Sequence, residues 1–310
     1  MEQHNSKPVN PLLCDPATGV CELPGAVQEH THSVDVISRK PVTIVYFTDP
    51  ICSTCWGIEP QLRKLKLEYG ADVEVEYHMG GLLPDWSYNS GGISKPSDVA
   101  HHWDEVSKHY NMPIDGDVWL EDPLPSSYPP SIAFKAAQLQ DKDKAVKYLR
   151  ILREMLFLEK KNITRWEHLS RAALQAGLDA EQLKNDYEGH AATLFRSDLE
   201  MAKQWHVRGF PSVFITDGRG NKEFIYGFKP YEVYTTAIEK ISPTIRKAVY
   251  EKSWEHLFQQ YPTLTTREFT ELSDQTINQS EVLLEELLQR NELVRLSTKN
   301  GVLWKRKHYN

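Results

Sequence analysis

A mixed α/β fold is expected of this chain, and two patterns predict it. A short, almost unbroken apolar run, VTIVYFTD at residues 42–49, passes directly into helix-spaced apolar residues and then into the alternating stretch DVEVEYHM at residues 72–79. A long helical block follows, and strand patterns return only near residue 212. A continuous β-branched and aromatic run of that length reads as a buried central strand, and strict alternation reads as a strand with one buried face.

Each element has its own local reason. After Ser53, Ile58, Leu62, Leu65 and Tyr69 recur at helical spacing, and Gly70 supplies the stop. In the next strand Val73, Val75, Tyr77 and Met79 alternate with Glu74, Glu76 and His78. Residues 85–205 are mostly helical: PPSIAFKAAQLQ, KAVKYLRILREMLFL and WEHLSRAALQAGL carry apolar stripes at 3.6 spacing. Thr164-Arg165-Trp166-Glu167 has the form of a capping box, and Asp179 stands where a further helix begins. SVFITD, the turn GRGN and EFIYG predict a hairpin, and YEVYTTAIEKI a closing helix. Residues 1–37 carry Pro8, Pro11, Pro16 and Pro24 without sustained periodicity and are expected to form an irregular tail.

Composition narrows the function. With 40% hydrophobic residues the chain can bury a sizeable core, and its net charge of −7 disfavours a general nucleic-acid role. No apolar h-region follows a basic start in MEQHNSKPVNPLLC, so no secretory signal is expected. No apolar run approaches the ~20 residues of a membrane span. The chain is therefore expected to work in the cytoplasm, on small molecules or proteins. Its four cysteines are Cys14, Cys21, Cys52 and Cys55. In a reducing compartment such pairs are more often catalytic or metal-binding than structural.

Cys52-Ser53-Thr54-Cys55 lies where the first strand meets its helix, with Trp56 next and Pro60 eight positions after Cys52. A thiol at a helix N-terminus is stabilised as thiolate by free amides and the helix dipole, which makes Cys52 the expected nucleophile and Cys55 the resolving thiol. A structural disulfide, a zinc clip and a redox-capable pair that is not the main biological function are the alternatives; the clip needs two further ligands that the local sequence does not supply. Trp56 divides between substrate contact and plain core packing. His206 reads as a surface or cap residue, and the doublet His101-His102 as surface.

The order strand, helix, strand, helical block, hairpin, helix resembles a thioredoxin fold with a large helical insertion. With the C-x-x-C motif and VRGFPSVFI downstream, residues 40–241 resemble the DsbA superfamily of thiol–disulfide oxidoreductases. The resemblance implies disulfide exchange on protein substrates, a cis Phe210-Pro211 bond, and a backbone at Phe210 that pairs with a substrate strand; Phe210, Pro211 and Trp56 are the substrate-positioning residues. Ser53-Thr54 contains no histidine of the kind found in strongly oxidising members, which implies a less acidic Cys52 and a more reducing couple. Two branches compete. The FrnE-like branch comprises cytoplasmic oxidoreductases and isomerases. The SpxH (YjbH) group comprises adaptors that deliver a transcription regulator to the ClpXP protease, and DPICSTCWGIEPQLRKLKLEYG, DGDVWLEDPLPSSYPPSIAFKAAQLQ and LEKKNIT look like stretches of it. VRGFPSVFI looks more like the enzymes. The oxidoreductase or isomerase is the first expectation, and the non-enzymatic adaptor is the alternative.

Two segments remain. In CDPATGVCELP the Pro-Ala-Thr-Gly centre is turn chemistry that lets Cys14 and Cys21 approach. They form an accessory redox pair, or with His30 and His32 a zinc site, or carry no chemistry of their own. No organic cofactor is implied. Residues 244–310 predict helices in AVYEKSWEHLFQQY and NQSEVLLEELLQRNEL, a capping box at Thr265-Thr266-Arg267-Glu268, and a hairpin turning at Lys299-Asn300-Gly301. That order resembles a winged-helix module. Its second helix shows Glu281, Glu285 and Glu286 against Arg290 alone, and only the hairpin end is basic, at Arg295, Lys299, Lys305, Arg306 and Lys307. Protein docking or self-association is therefore expected rather than DNA binding, with a plain packing accessory to the thioredoxin domain as the alternative. The expected organisation is a tail at 1–37, a thioredoxin domain at 38–84 and 206–243, a helical insertion at 85–205, and the winged-helix-like extension at 244–310.

Overall fold

The computed structural model describes residues 14–15, 20–22, 40–87 and 95–307, the first two segments as backbone. The central sheet has four strands in the order β4 (Val73–Met79), β3 (Val42–Thr48), β6 (Ser212–Thr216), β7 (Lys222–Tyr226). β3 and β4 are parallel, and the other two pairings are antiparallel. β3 is buried at all seven positions, as its continuous apolar run requires of a central strand. β4 is an edge strand and only its ends are buried, so its alternation marks a half-covered face.

Helix α1 (Ser53–Gly57) follows β3, and α2 (Glu59–Tyr69) continues beyond Ile58 with Pro60 in its first turn, where a missing amide costs nothing. The insertion is α3 (Pro96–Tyr110), α4 (Val118–Glu121), α5 (Tyr128–Gln140), α6 (Lys142–Phe157), α7 (Trp166–Ala176), α8 (Ala180–Glu188) and α9 (Ala191–Gln204). α9 leads to the short strand β5 (Gly209–Phe210), then β6, β7 and the closing helix α10 (Tyr231–Ile241). The capping box expected at Thr164 does not form. Arg165 is the N-cap of α7, and the Thr164 hydroxyl donates to Asn162 Oδ1 at 2.5 Å instead.

The tail also differs from expectation. Residues Cys14–Asp15 (β1) and Val20–Glu22 (β2) form an antiparallel pair, and β2 pairs antiparallel with β5. The short strands gave no periodic signal because two or three residues are too few to alternate, and a partner strand is what holds them.

The C-terminal unit consists of α11 (Trp254–Gln260), β8 (Thr263–Thr265), α12 (Thr266–Ser273), α13 (Ile277–Gln289), β9 (Leu293–Thr298) and β10 (Gly301–Arg306), with β10 between β8 and β9. α11 is shorter than its sequence pattern suggested, and residues 246–253 are not helical. The capping box at Thr265 and Glu268 forms. The unit has its own apolar cluster around Leu257, Phe269, Leu284, Leu287 and Trp304, while Leu303 joins the main core. No helix among the described residues is long and apolar enough to cross a membrane.

Candidate functional site

The C-x-x-C pair sits at the carboxyl end of β3. Cys52 is the N-cap of α1, and the Cys55 amide donates to its sulfur at 3.2 Å. Both cysteines are fully buried, 0% exposed. Burial dominates their acidity. It pushes the Cys52 thiol well above its ordinary value, and hydrogen bonding to and charge on Cys55 add to the shift. Burial also opposes ionisation of Cys55. There the hydrogen bond from Cys52, the Arg153 guanidinium and the Thr48 and Tyr46 hydroxyls outweigh it, so Cys55 falls below its ordinary value. This reverses the expected order of acidity. The helix N-terminus does supply its amide to Cys52, but one amide does not offset complete desolvation, and the cation stands beside Cys55.

The surrounding groups follow from neighbouring elements. Arg153 on α6 is fully buried; it donates to Thr48 Oγ1 at 2.7 Å, to the Asp49 carbonyl at 3.3 Å and to Glu59 on α2. Asp49 accepts from the Leu82 amide at 2.7 Å, the Ser127 hydroxyl at 2.9 Å and the Ile51 amide at 3.0 Å. Burial pushes its carboxyl up to about 6. Sequence reading missed both residues. Arg153 had a signal: it lies four residues from Leu149 and from Phe157, inside the apolar stripe of α6, where a cation must find buried partners.

Trp56 is core. It is 0% exposed, its indole N–H donates to the Pro113 carbonyl at 3.0 Å, its ring stacks on Phe157, and Arg150 lies over it at 4.3 Å from the centroid. Its expected role in substrate contact is therefore corrected to packing. The Phe210-Pro211 bond is cis. The Phe210 side chain is buried against Gly80, where an added Cβ would lie 1.7 Å from the ring, so only the backbone of β5 is available to a neighbouring strand. His206 follows Trp205, the C-cap of α9, at φ 54, its amide donating to the Lys203 carbonyl. His101 is exposed, but His102 is buried, which corrects the reading of that doublet as surface. His30 and His32 lie outside the described residues. Among the described residues no cluster of three or more metal-ligating side chains occurs.

A chain of buried ions runs from the thiols to the C-terminal unit. Arg153 meets Glu59, Arg150 approaches Glu59 at 3.8 Å, and Arg150 donates to Glu268 through two nitrogens, at 2.7 and 3.0 Å. Glu268 is 0% exposed and also meets Arg63 at 3.2 Å. Burial opposes its ionisation, but Arg150 and Arg63 hold the carboxyl below its usual range. On the hairpin, Lys299 pairs with Asp104 at 2.5 Å and Asp117 at 2.8 Å, and Arg295 pairs with Glu285. Two of the hairpin's cations, Arg295 and Lys299, are thus turned onto the protein itself.

The C-x-x-C motif at a helix N-terminus, the proline loop after a helical insertion and the mixed sheet define a protein of the thioredoxin-fold class. A thioredoxin family model matches residues 46–236. The ClpXP adapter protein SpxH of Halalkalibacterium halodurans is 34% identical over 302 residues, 96% of this chain and 97% of that protein. This chain belongs to the thioredoxin-fold family of the SpxH proteins. Two solved structures share the fold: a Nitrosomonas europaea protein assigned provisionally to the protein disulfide isomerases (TM-score 0.56, 20% identity, 66% of this chain and 97% of that one), and the cytosolic disulfide reductase DsbM of Pseudomonas aeruginosa (TM-score 0.50, 20% identity, 64% and 94%).

Proposed function

We propose that this protein is an adaptor that presents a protein client, a transcription regulator, to the ClpXP protease. The observation that carries this reading is the near end-to-end likeness to an SpxH adaptor, which spans tail, thioredoxin domain, insertion and C-terminal unit, whereas the disulfide enzymes match only about two-thirds of the chain. The site supports it. An adaptor works through surface complementarity and has no need of an accessible thiolate; here both thiols are buried, and burial pushes the Cys52 thiol up. The test is degradation of the regulator by purified ClpXP with and without this chain. Faster degradation, kept by the Cys52→Ala, Cys55→Ala variant, is the expected result. No acceleration by the wild-type chain overturns the reading.

Thiol–disulfide exchange is the second reading, favoured by the Cys55 amide bonded to the Cys52 sulfur, the arrangement a nucleophilic thiol uses at a helix N-terminus. It requires that Cys52→Ala abolish exchange with oxidised glutathione or insulin and, in the same variant, the effect on regulator degradation.

A further inference from the structure

Cys14 and Cys21 lie on the small sheet β1-β2-β5, whose strand β5 leads through Pro211 into β6 of the central sheet, and Cys52 and Cys55 follow β3 of that central sheet. β6 begins at Ser212, which pairs with Phe47 near the carboxyl end of β3, and Cys52 follows just beyond that end. β5 and Pro211 therefore lie at the level from which the C-x-x-C segment issues. The tail strand β2 adds to β5 with Cys21 opposite Phe210 and Glu22 opposite Gly209. This backbone edge is where an extended partner would add a strand, and here the chain's own tail occupies it. Within the tail, Cys14 and Cys21 are directly opposed across the β1–β2 ladder. Opposed residues in an antiparallel pair have Cα atoms about 4.5–5.5 Å apart. That separation lies inside the range of about 4.4–6.8 Å that a disulfide spans.

We propose that the tail is an internal exchange partner of the C-x-x-C centre: β2 delivers Cys21 to Cys52, and Cys14 completes the transfer. When Cys52 and Cys55 have been joined by a disulfide or peroxide oxidant, the Cys21 thiolate attacks the Cys52 sulfur. The Cys52–Cys55 bond breaks, and Cys55 leaves as the thiolate that Arg153 faces. The Cys14 thiolate then attacks the Cys21 sulfur, a Cys14–Cys21 disulfide forms, and Cys52 leaves and is protonated. Two electrons pass from the tail pair to the C-x-x-C pair, and the two tail protons go to Cys52 and Cys55 through solvent. The tail so becomes the record of oxidation while the buried pair returns to its reduced state. This inference stands independently of the adaptor reading.

The test uses the full chain, stripped of metal with a chelator. In Cys14→Ser, Cys55→Ser, one equivalent of an oxidant such as diamide should link Cys21 to Cys52 within a single chain, mapped by peptide mass spectrometry. The rate should not change over a ~10-fold dilution, because the tether fixes the local concentration, whereas a bond between chains would slow about 10-fold. The register also requires that Cys21→Ser, Cys55→Ser, which keeps Cys14, link to Cys52 more slowly. In the wild-type chain, oxidation by half an equivalent should accumulate Cys14–Cys21 rather than Cys52–Cys55. A link that slows with dilution, equal rates from Cys14 and Cys21, or a wild-type chain that holds its disulfide at Cys52–Cys55 each overturns the proposal. The wild-type arm needs no substitution and reads the same transfer if a variant does not fold.

Discussion

Arg153 is wholly buried, and its guanidinium is aimed at the Thr48 hydroxyl, the Asp49 carbonyl and Glu59, within the field of both thiols. A cation in that place costs several kcal/mol to desolvate, so its partners must compensate it. Arg153→Met leaves Glu59 short of one partner and removes the positive field from Cys55. We expect a stability loss of about 3–5 kcal/mol by urea unfolding. In the folded variant the Cys55 thiolate absorbance should appear at higher pH than in the wild type; an unchanged titration would mean the cation does not act on that sulfur. For Cys52 the expectation is the reverse of a nucleophile's. Its iodoacetamide alkylation in the native chain should have a midpoint above the ~8.5 of a free thiol. A midpoint below that value would restore the enzymatic reading of the site.

At the scale of elements, α12 is fastened to α2 and α6 by Glu268. The carboxylate takes two bonds from Arg150 while its Oε2 also accepts the Thr265 amide in the capping box. Its folded-state pKa is depressed, so its contribution is complete above the unfolded carboxyl value of ~4.3 and is lost as pH falls through the lower folded value. Glu268→Gln should therefore cost about 3–5 kcal/mol at pH 7, and the gap between variant and wild type should narrow as pH drops below about 4. A gap that stays constant across that window would show that the charge of Glu268 is not what fastens the helix. β5 provides a second case. Its Phe210 ring occupies the space a side chain would need at Gly80. Gly80→Ala should displace the ring at a cost of about 1–3 kcal/mol. Amide exchange at residues 20–22 should then quicken, because β2 is held by the β5 backbone. Exchange that stays at the wild-type rate would show that β2 does not depend on β5.

Across the whole molecule, the C-terminal unit has its own apolar cluster, and it joins the rest through Leu303 and Leu67 as well as through polar contacts: the arginine–glutamate chain at one end, and at the other Asn300 donating to Asp104 at 2.7 Å and to the Ile114 carbonyl at 2.8 Å. Separating the two bodies would strip the buried Glu268 of both its arginines and leave Arg150 and Arg63 with only Glu154 and Glu59. A single cooperative transition is expected, with tryptophan fluorescence and far-ultraviolet circular dichroism coincident on urea titration. Two separated transitions would show that the unit is held only loosely.

Local sequence determined the elements. A continuous apolar run made β3 central, 3.6 spacing made the insertion helical, and Thr265 with Glu268 made a cap, because each depends on neighbours within a few residues. Cys52 and Cys55 were legible for the same reason: a C-x-x-C at a strand-to-helix junction is a local motif. Tertiary structure decided what those residues can do. It buried the thiols, brought the Arg153 charge to them, turned Trp56 into core, closed Lys299 onto Asp104 and Asp117, and paired Cys21 with Phe210 across the backbone. Acidity depends on desolvation and on charges brought in from helices a hundred residues away, and strand pairing across such a distance is fixed only when the whole sheet edge is assembled.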